Sequence, residues 1–236
     1  NSTATGVFVN GADVYVSYDM DDITTGLTVA RLWKNGVSTT LPGASANFHA
    51  SCVYVSGTDV YVGGYSTPSA STVSRAIIWK NGVAQYLNNG QFNSSVRKIL
   101  VVGSDVYAVG QDNVGGNGTG RAVIWKNGVP TYLTDGVNSD AMANDIFIDG
   151  TDVYVCGRKS SSGSGEIAQL WKNGVATILS IGGSNGIAQG VFVKNGDVYV
   201  SEAGFMSCPI RIWKNNIPSL LTTGSNFNSV SNVIVK

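Results

Sequence analysis

The sequence predicts an all-β fold, a five-bladed β-propeller of four-stranded antiparallel blades with one surplus terminal strand. Three observations predict it. Trp-Lys-Asn-Gly recurs at Trp33–Gly36, Trp79–Gly82, Trp125–Gly128 and Trp171–Gly174, with Trp-Lys-Asn-Asn at Trp213–Asn216. Asp-Val-Tyr-Val recurs at Asp13–Val16, Asp59–Val62, Asp152–Val155 and Asp197–Val200, with Asp-Val-Tyr-Ala at Asp105–Ala108. A Leu stands eight residues after each Trp, at Leu41, Leu87, Leu133, Leu179 and Leu221. Self-similarity at a period of about 45 residues marks a repeat architecture, and four short strands per unit indicate radial repetition.

The first strand of each unit carries an apolar triplet: Val7-Phe8-Val9, Val53-Tyr54-Val55, Ile99-Leu100-Val101, Ile146-Phe147-Ile148 and Val191-Phe192-Val193. The second begins at the recurrent Asp, after a tight Gly-containing turn. The third ends in Trp-Lys. The fourth ends at the recurrent Leu and follows Asn-Gly, which tolerates the positive φ of a type I′ hairpin turn. Two hairpins per unit make a four-stranded meander. Pro130 and Pro218 fall in the fourth strand. Proline cannot donate to a ladder, so this strand belongs at a sheet edge. The first strand is then the inner one. Nine residues before each recurrent Asp stands Ala4, Ala50, Val96, Ala143 or Ala188, small enough for a crowded axis.

Antiparallel pairing of the second and third strands sets the recurrent Asp beside the recurrent Lys. Asp13 is expected near Lys34, Asp59 near Lys80, Asp105 near Lys126, Asp152 near Lys172 and Asp197 near Lys214. Each cross-strand pair contributes a few tenths to about 1 kcal/mol. The Trp contributes more, as a large apolar face between neighbouring blades.

One domain over 1–236 is expected, with blades at about 1–46, 47–92, 93–139, 140–184 and 185–228. The first-strand pattern occurs a sixth time, in Ser229–Lys236, where Val233-Ile234-Val235 continues the series. Five blades have five inner places. Either Asn1–Val9 or Ser229–Lys236 is therefore surplus: a β-competent segment with unpaired backbone groups, suited to pairing with another copy. Val7, Phe8, Val9, Val233, Ile234 and Val235 are the candidate self-association residues, and head-to-tail contacts between copies need not close.

Composition narrows the function classes. Fifteen basic residues balance fifteen acidic ones, and only 13% of the chain is charged, so neither nucleic acid nor an anionic membrane is an expected partner. No apolar run reaches the length of a membrane span. The start at Asn1 fits a mature secreted product or a trimmed chain, and an extracellular location is expected. Cys52, Cys156 and Cys208 form no C-x-x-C pair. They allow one disulfide, with Cys156–Cys208 preferred, or three buried small residues. Asn1, Asn93 and Asn117 stand in glycosylation sequons.

Catalytic, cofactor and metal residues are not expected. The only two Glu, Glu166 and Glu202, are placed in loops between second and third strands. Asp145 lies in an inner strand and is expected to pair with Lys98 of the preceding blade. His49, the single histidine, is expected to be packed or hydrogen-bonded. The acids of Tyr18–Asp22 read as a solvated loop rather than a calcium site, since their spacing departs from the EF-hand pattern. The loops between blades share a Gly-then-Asn theme with aromatic neighbours. Asn47, Phe48, Phe92, Asn93, Asn138, Asn185, Asn226 and Phe227 are the candidate glycan-binding residues. Turn chemistry alone accounts for the same Asn and Gly.

The pattern of apolar triplet, turn, Val-Tyr-Val, loop and Arg-Ala-x-x-Trp-Lys-Asn-Gly resembles propeller repeats of bacterial secreted and cell-surface proteins. Val60–Tyr65 is faintly similar to a Kelch second strand. Five blades is the number in tachylectin-type lectins, but the tachylectin blade signature is missing and no sugar-contacting residue carries over. Arabinanase-like glycosidases with five blades need convergent carboxylates. The resemblance implies architecture, and fold does not give function. Two functions follow as expectations: a non-enzymatic structural or adhesive protein that self-associates through its spare strand, or a lectin using the ring of loops.

Overall fold

A computed structural model describes residues 1–43, 46–69, 71–113, 119–137, 139–161, 165–179, 185–204 and 209–222. These form twenty strands in five four-stranded antiparallel sheets. Sheet one is β1 (Ser2–Asn10), β2 (Asp13–Asp22), β3 (Leu27–Lys34) and β4 (Val37–Thr40). Sheet two is β5 (Ala46–Ser56), β6 (Asp59–Pro68), β7 (Arg75–Lys80) and β8 (Val83–Tyr86). Sheet three is β9 (Ser94–Val102), β10 (Asp105–Asn113), β11 (Gly120–Lys126) and β12 (Val129–Tyr132). Sheet four is β13 (Ser139–Asp149), β14 (Asp152–Ser161), β15 (Gly165–Lys172) and β16 (Val175–Ile178). Sheet five is β17 (Gly186–Lys194), β18 (Asp197–Gly204), β19 (Arg211–Lys214) and β20 (Ile217–Leu220). Five sequential meanders fit the five-bladed propeller class. Among the described residues no helix is long and apolar enough to cross a membrane.

The Asn-Gly turns take the expected form. Asn35 and Gly36 have φ of 47° and 94°, and the other third-to-fourth strand turns repeat this. Positive φ at both central residues gives the twist that matches the flanking strands. In the fifth copy Asn216 adopts φ 66° where the others have Gly. Pro130 and Pro218 sit on the edge strands β12 and β20, as their missing N–H requires.

All five Asp–Lys pairs are present, at 2.7–2.8 Å. Each belongs to a larger corner. Asn35 Oδ1 accepts from the Val14 amide at 2.9 Å, and Asn35 Nδ2 donates to Asp13 Oδ1 at 2.7 Å. Lys34 Nζ lies 4.9 Å from the centre of the Tyr15 ring. The same corner recurs in every sheet, at Asn81, Asn127, Asn173 and Asn215. The Lys hydrogen bond first, and the Asn second, hold each Asp carboxyl below its ordinary range.

The first strands are bulged at one shared column. Pairing skips Thr5, Ser51, Arg97, Asn144 and Gln189. Each skipped residue directly follows the small residue of its strand and is polar. A bulge re-aims a side chain out of the alternation. Thus Asn144 Nδ2 donates to the Ala188 carbonyl of the next sheet at 2.8 Å.

The chain divides into two compact units, Asn1–Gly116 with Trp125–Thr131, and Asn117–Ile124 with Tyr132–Lys236. In the first, Phe8, Tyr15, Ala30, Leu32 and Leu41 of sheet one pack against Val53, Val55, Val62, Ile77 and Trp79 of sheet two. In the second, Tyr154, Cys156, Ala168, Leu170 and Leu179 of sheet four pack against Ala188, Val191, Val193, Val200 and Trp213 of sheet five. The two interfaces are one design. The Tyr–Ala–Leu face of a sheet receives the Val–Val–Trp face of the next.

Candidate interaction surface

Sheet one breaks the pattern. Its Val–Val–Trp face consists of Val7, Val9, Val16 and Trp33, and among the described residues of its own unit none covers it. Val7 and Val9 are 68% and 60% exposed, whereas Val53 and Val55 of sheet two are 7% and 5% exposed. Trp33 is partly open, while Trp79, Trp125, Trp171 and Trp213 are buried. Ala4 is exposed, while Ala50, Val96, Ala143 and Ala188 in its column are buried. An open apolar cavity of about 290 Å³ lies on this face, lined by Ser2, Ala4, Val16, Tyr18 and Trp33.

The first unit also contains the completed version of this groove. A cavity of about 410 Å³ is walled on one side by Val62 and Trp79, and on the other by Thr39, Thr40, Leu41 and Pro42 from the end of sheet one. Trp79 Nε1 donates to the Pro42 carbonyl at 3.0 Å. The second wall is therefore the Leu-bearing end of a fourth strand. Among the described residues of its own unit, none supplies that wall to Trp33.

The structure sorts the candidate self-association residues by side. β1 is paired with β2 along its length, so the first strand keeps its place in sheet one. Val7 and Val9 point to the open face. Phe8 alternates to the other side and packs on Tyr54, ring centres 4.7 Å apart, so it is a core residue and not a contact for a partner. Val233, Ile234 and Val235 lie outside the described residues.

The Asn-rich loop theme proves to be a latch between consecutive sheets. Asn47 Oδ1 accepts from the Thr28 amide at 2.8 Å, Asn93 Oδ1 from Ser74 at 2.8 Å, and Asn185 Oδ1 from Glu166 at 3.0 Å. Asp140 Oδ1 fills the same role toward Gly120 at 2.9 Å. These oxygens satisfy the amides at the start of the third strands of sheets one to four, so they are committed to the backbone. Phe48 is 4% exposed and meets Trp79 edge-on at 5.9 Å. A Cβ on Gly43 would collide with its ring. Phe48 thus has no face to offer a sugar. Phe92 is half-buried. Asn138, Asn226 and Phe227 lie outside the described residues.

The expected loop acids are in strands. Tyr18–Asp22 is the end of β2. Asp19 takes His49 Nδ1 at 2.9 Å and the Ala50 amide at 2.7 Å, and His49 stacks on Tyr65 at 4.6 Å. His49 is thus hydrogen-bonded and packed, as expected. Asp22 caps the turn at Thr24 and Thr25. Glu166 opens β15 rather than lying in a loop, and shares Arg158 with Asp140, at 2.8 and 2.9 Å. Glu202 lies in β18 and is fully buried. It accepts from Trp213 Nε1 at 2.7 Å and pairs with Arg211 at 3.3 Å. Burial pushes its carboxyl above the ordinary range, against the pull of Trp213 and Arg211. Glu202 is a strand residue rather than the loop residue expected, because β18 runs beyond its recurrent Asp-Val-Tyr-Val. Asp145 Oδ2 accepts from the Val191 amide at 3.0 Å. Cys156 is buried, and Cys208, its preferred partner, lies outside the described residues. Among the described residues no group of three His, Cys, Asp or Glu could hold a metal ion.

No protein-family model and no curated protein matches the sequence. Solved structures with a similar course of chain include a GH32 β-fructofuranosidase of Bombyx mori in complex with sucrose: 13% identity, TM-score 0.42, 89% of this chain and 62% of that one. An acylaminoacyl peptidase of Pyrococcus horikoshii is similar at 9% identity and TM-score 0.46, over 95% of this chain and 46% of that one. The β-propeller domain of the Trilobed protease of Pyrococcus furiosus is similar at 9% identity and TM-score 0.39, over 91% and 81%. The chain thus spans less than two thirds of the first two. No residue and no activity is carried across from them.

Proposed function

We propose that this chain is a non-enzymatic, extracellular structural or adhesive module that associates with further copies of itself through the open face of sheet one. The observation that carries this is the exposure of Val7 and Val9, on a face whose counterpart in sheet two is buried. A face holding two Val and a partly open Trp is costly to leave in water, at about 25 cal/mol per Å² of apolar area. The non-enzymatic part is supported by how the ionisable groups are used. His49 is tied to Asp19, Glu166 to Arg158 and Glu202 to Arg211 and Trp213, each as a structural tether.

Sedimentation velocity over a range of concentrations tests the proposal. Wild type is expected to shift to faster species with concentration, and Val7→Asp/Val9→Asp to stay a monomer with an unchanged circular dichroism spectrum. Equal, concentration-independent sedimentation of both would end it.

A further inference from the structure

We infer that Asn195 is a covalent modification site, which loses its side-chain amide through a succinimide while the other Asn-Gly pairs of the described residues keep theirs. Gly after Asn favours this step, because a residue without Cβ leaves its own amide nitrogen open to approach. That nitrogen attacks Asn Cγ and a C–N bond forms. The Cγ–Nδ2 bond breaks, and ammonia leaves with the proton of the Gly amide. Water then opens the ring at either carbonyl and leaves Asp or isoaspartate.

Two Asn-Gly turns share one backbone and differ in how the side chain is held. Asn173 and Gly174 have φ of 50° and 81°. Asn195 and Gly196, between β17 and β18, have φ of 53° and 80°. Both pairs follow a Lys. Asn173 Nδ2 donates to Asp152 Oδ1 at 2.8 Å, and its Oδ1 accepts from the Val153 amide at 2.8 Å. Its Cγ therefore reaches the Gly174 amide only by breaking both bonds. Asn35, Asn81 and Asn127 are held in the same way. Asn10 Nδ2 donates to the Gly57 carbonyl at 3.1 Å, and Asn185 Oδ1 accepts from the Glu166 amide at 3.0 Å. Asn89 Oδ1 accepts from the Gln91 amide, and the amide that would attack, Gly90, donates to Asn88 Oδ1 at 3.2 Å.

Asn195 is exposed, and among the described residues its side chain has no hydrogen-bond partner. The matching turns of the other four sheets carry Gly11, Gly57, Gly103 and Gly150 there, at φ of 59–61°. The turn therefore uses the backbone of this position and makes no use of the Asn amide. Asp197, two residues on, anchors the corner of sheet five through Lys214 at 2.7 Å. A new carboxylate at 195 sets a like charge near it, and isoaspartate adds a backbone atom to a two-residue turn. Modification thus loosens the β17–β18 hairpin.

The test is to age the native protein in mildly alkaline buffer, digest it and follow each Asn-Gly peptide by mass spectrometry. Asn195 is expected to react about tenfold faster than Asn173, where two hydrogen bonds must first break. In urea the two rates are expected to converge, since Lys-Asn-Gly is common to both. Asp152→Ala removes one of the two bonds and is expected to speed Asn173 while leaving Asn195 unchanged. The wild-type rates decide the matter even where that variant fails to fold. Equal rates at Asn195 and Asn173 in the native protein would overturn the inference, and so would an Asn195 that stays intact while Asn173 reacts.

Discussion

Sheets one and two carry the same residues in the same columns and differ in what lies beside them. Val9 and Val55 are both third in an apolar triplet, yet one is 60% exposed and the other 5%. Trp33 and Trp79 both precede Lys-Asn-Gly, yet only Trp79 is sealed and has a carbonyl for its indole N–H. At the turn end the two sheets are alike: Asn35 and Asn81 make the same bonds to the Asp carboxyl and the Val amide. Local sequence therefore determines the corner, and the neighbouring sheet determines the face. The repeat encodes two kinds of stability, one internal to a sheet and one shared between sheets.

The indoles separate these most sharply. Trp79→Ala is expected to cost about 3–5 kcal/mol, because a sealed site keeps its cavity. Trp33→Ala in the dilute monomer is expected to cost about 1–2 kcal/mol, since much of its surface is already wet. Urea unfolding of the two variants checks the difference, and equal losses would break the comparison. A smaller step of the same kind is Val55→Ala, expected at about 2 kcal/mol, against under about 0.5 kcal/mol for Val9→Ala.

The corners should show no such asymmetry. Asn35→Ala and Asn81→Ala each remove two side-chain hydrogen bonds and leave Ala at positive φ, and each is expected to cost about 1–2 kcal/mol. Their equality, by the same urea titration, sharpens the claim that the corner is self-contained. The pH dependence follows from the same groups. Asp13 and Asp59 have folded carboxyls held below the ordinary range, chiefly by Lys34 and Lys80. That stabilisation is present above the unfolded carboxylate range near pH 4, and is lost as pH falls through the folded values. Asp13→Asn and Asp59→Asn are each expected to flatten the acid limb of stability by the same small amount. Smallest is Asn216→Gly, expected to gain a few tenths of a kcal/mol by relieving a side chain at φ 66°.

The sequence made legible what recurs in kind. The Trp, Asp, Lys and Leu columns, the edge prolines and the Asp–Lys pairs all follow from identity at fixed spacing. The bulges were hidden because Thr5, Ser51, Arg97, Asn144 and Gln189 share only polarity, and a one-residue skip leaves no signature in an alternating strand. The latch is not legible in sequence because Asn serves turns and amide acceptance equally well. Its fourth member is Asp140, outside the Asn pattern. Phe48 looked like a loop aromatic because β5 begins earlier than its apolar triplet suggests. The open face of sheet one was illegible for a different reason. Its residues are those of a buried face, and only coordinates reveal that no described residue of its unit covers them.

The most direct test is iodide quenching of Trp33, read as the difference between wild type and Trp33→Phe, across protein concentrations from dilute monomer to assembly. Trp33 is expected to be quenchable when dilute and shielded when concentrated, with the shielding lost in Val7→Asp/Val9→Asp. A Trp33 equally shielded at every concentration, in a particle of monomer mass, would contradict it.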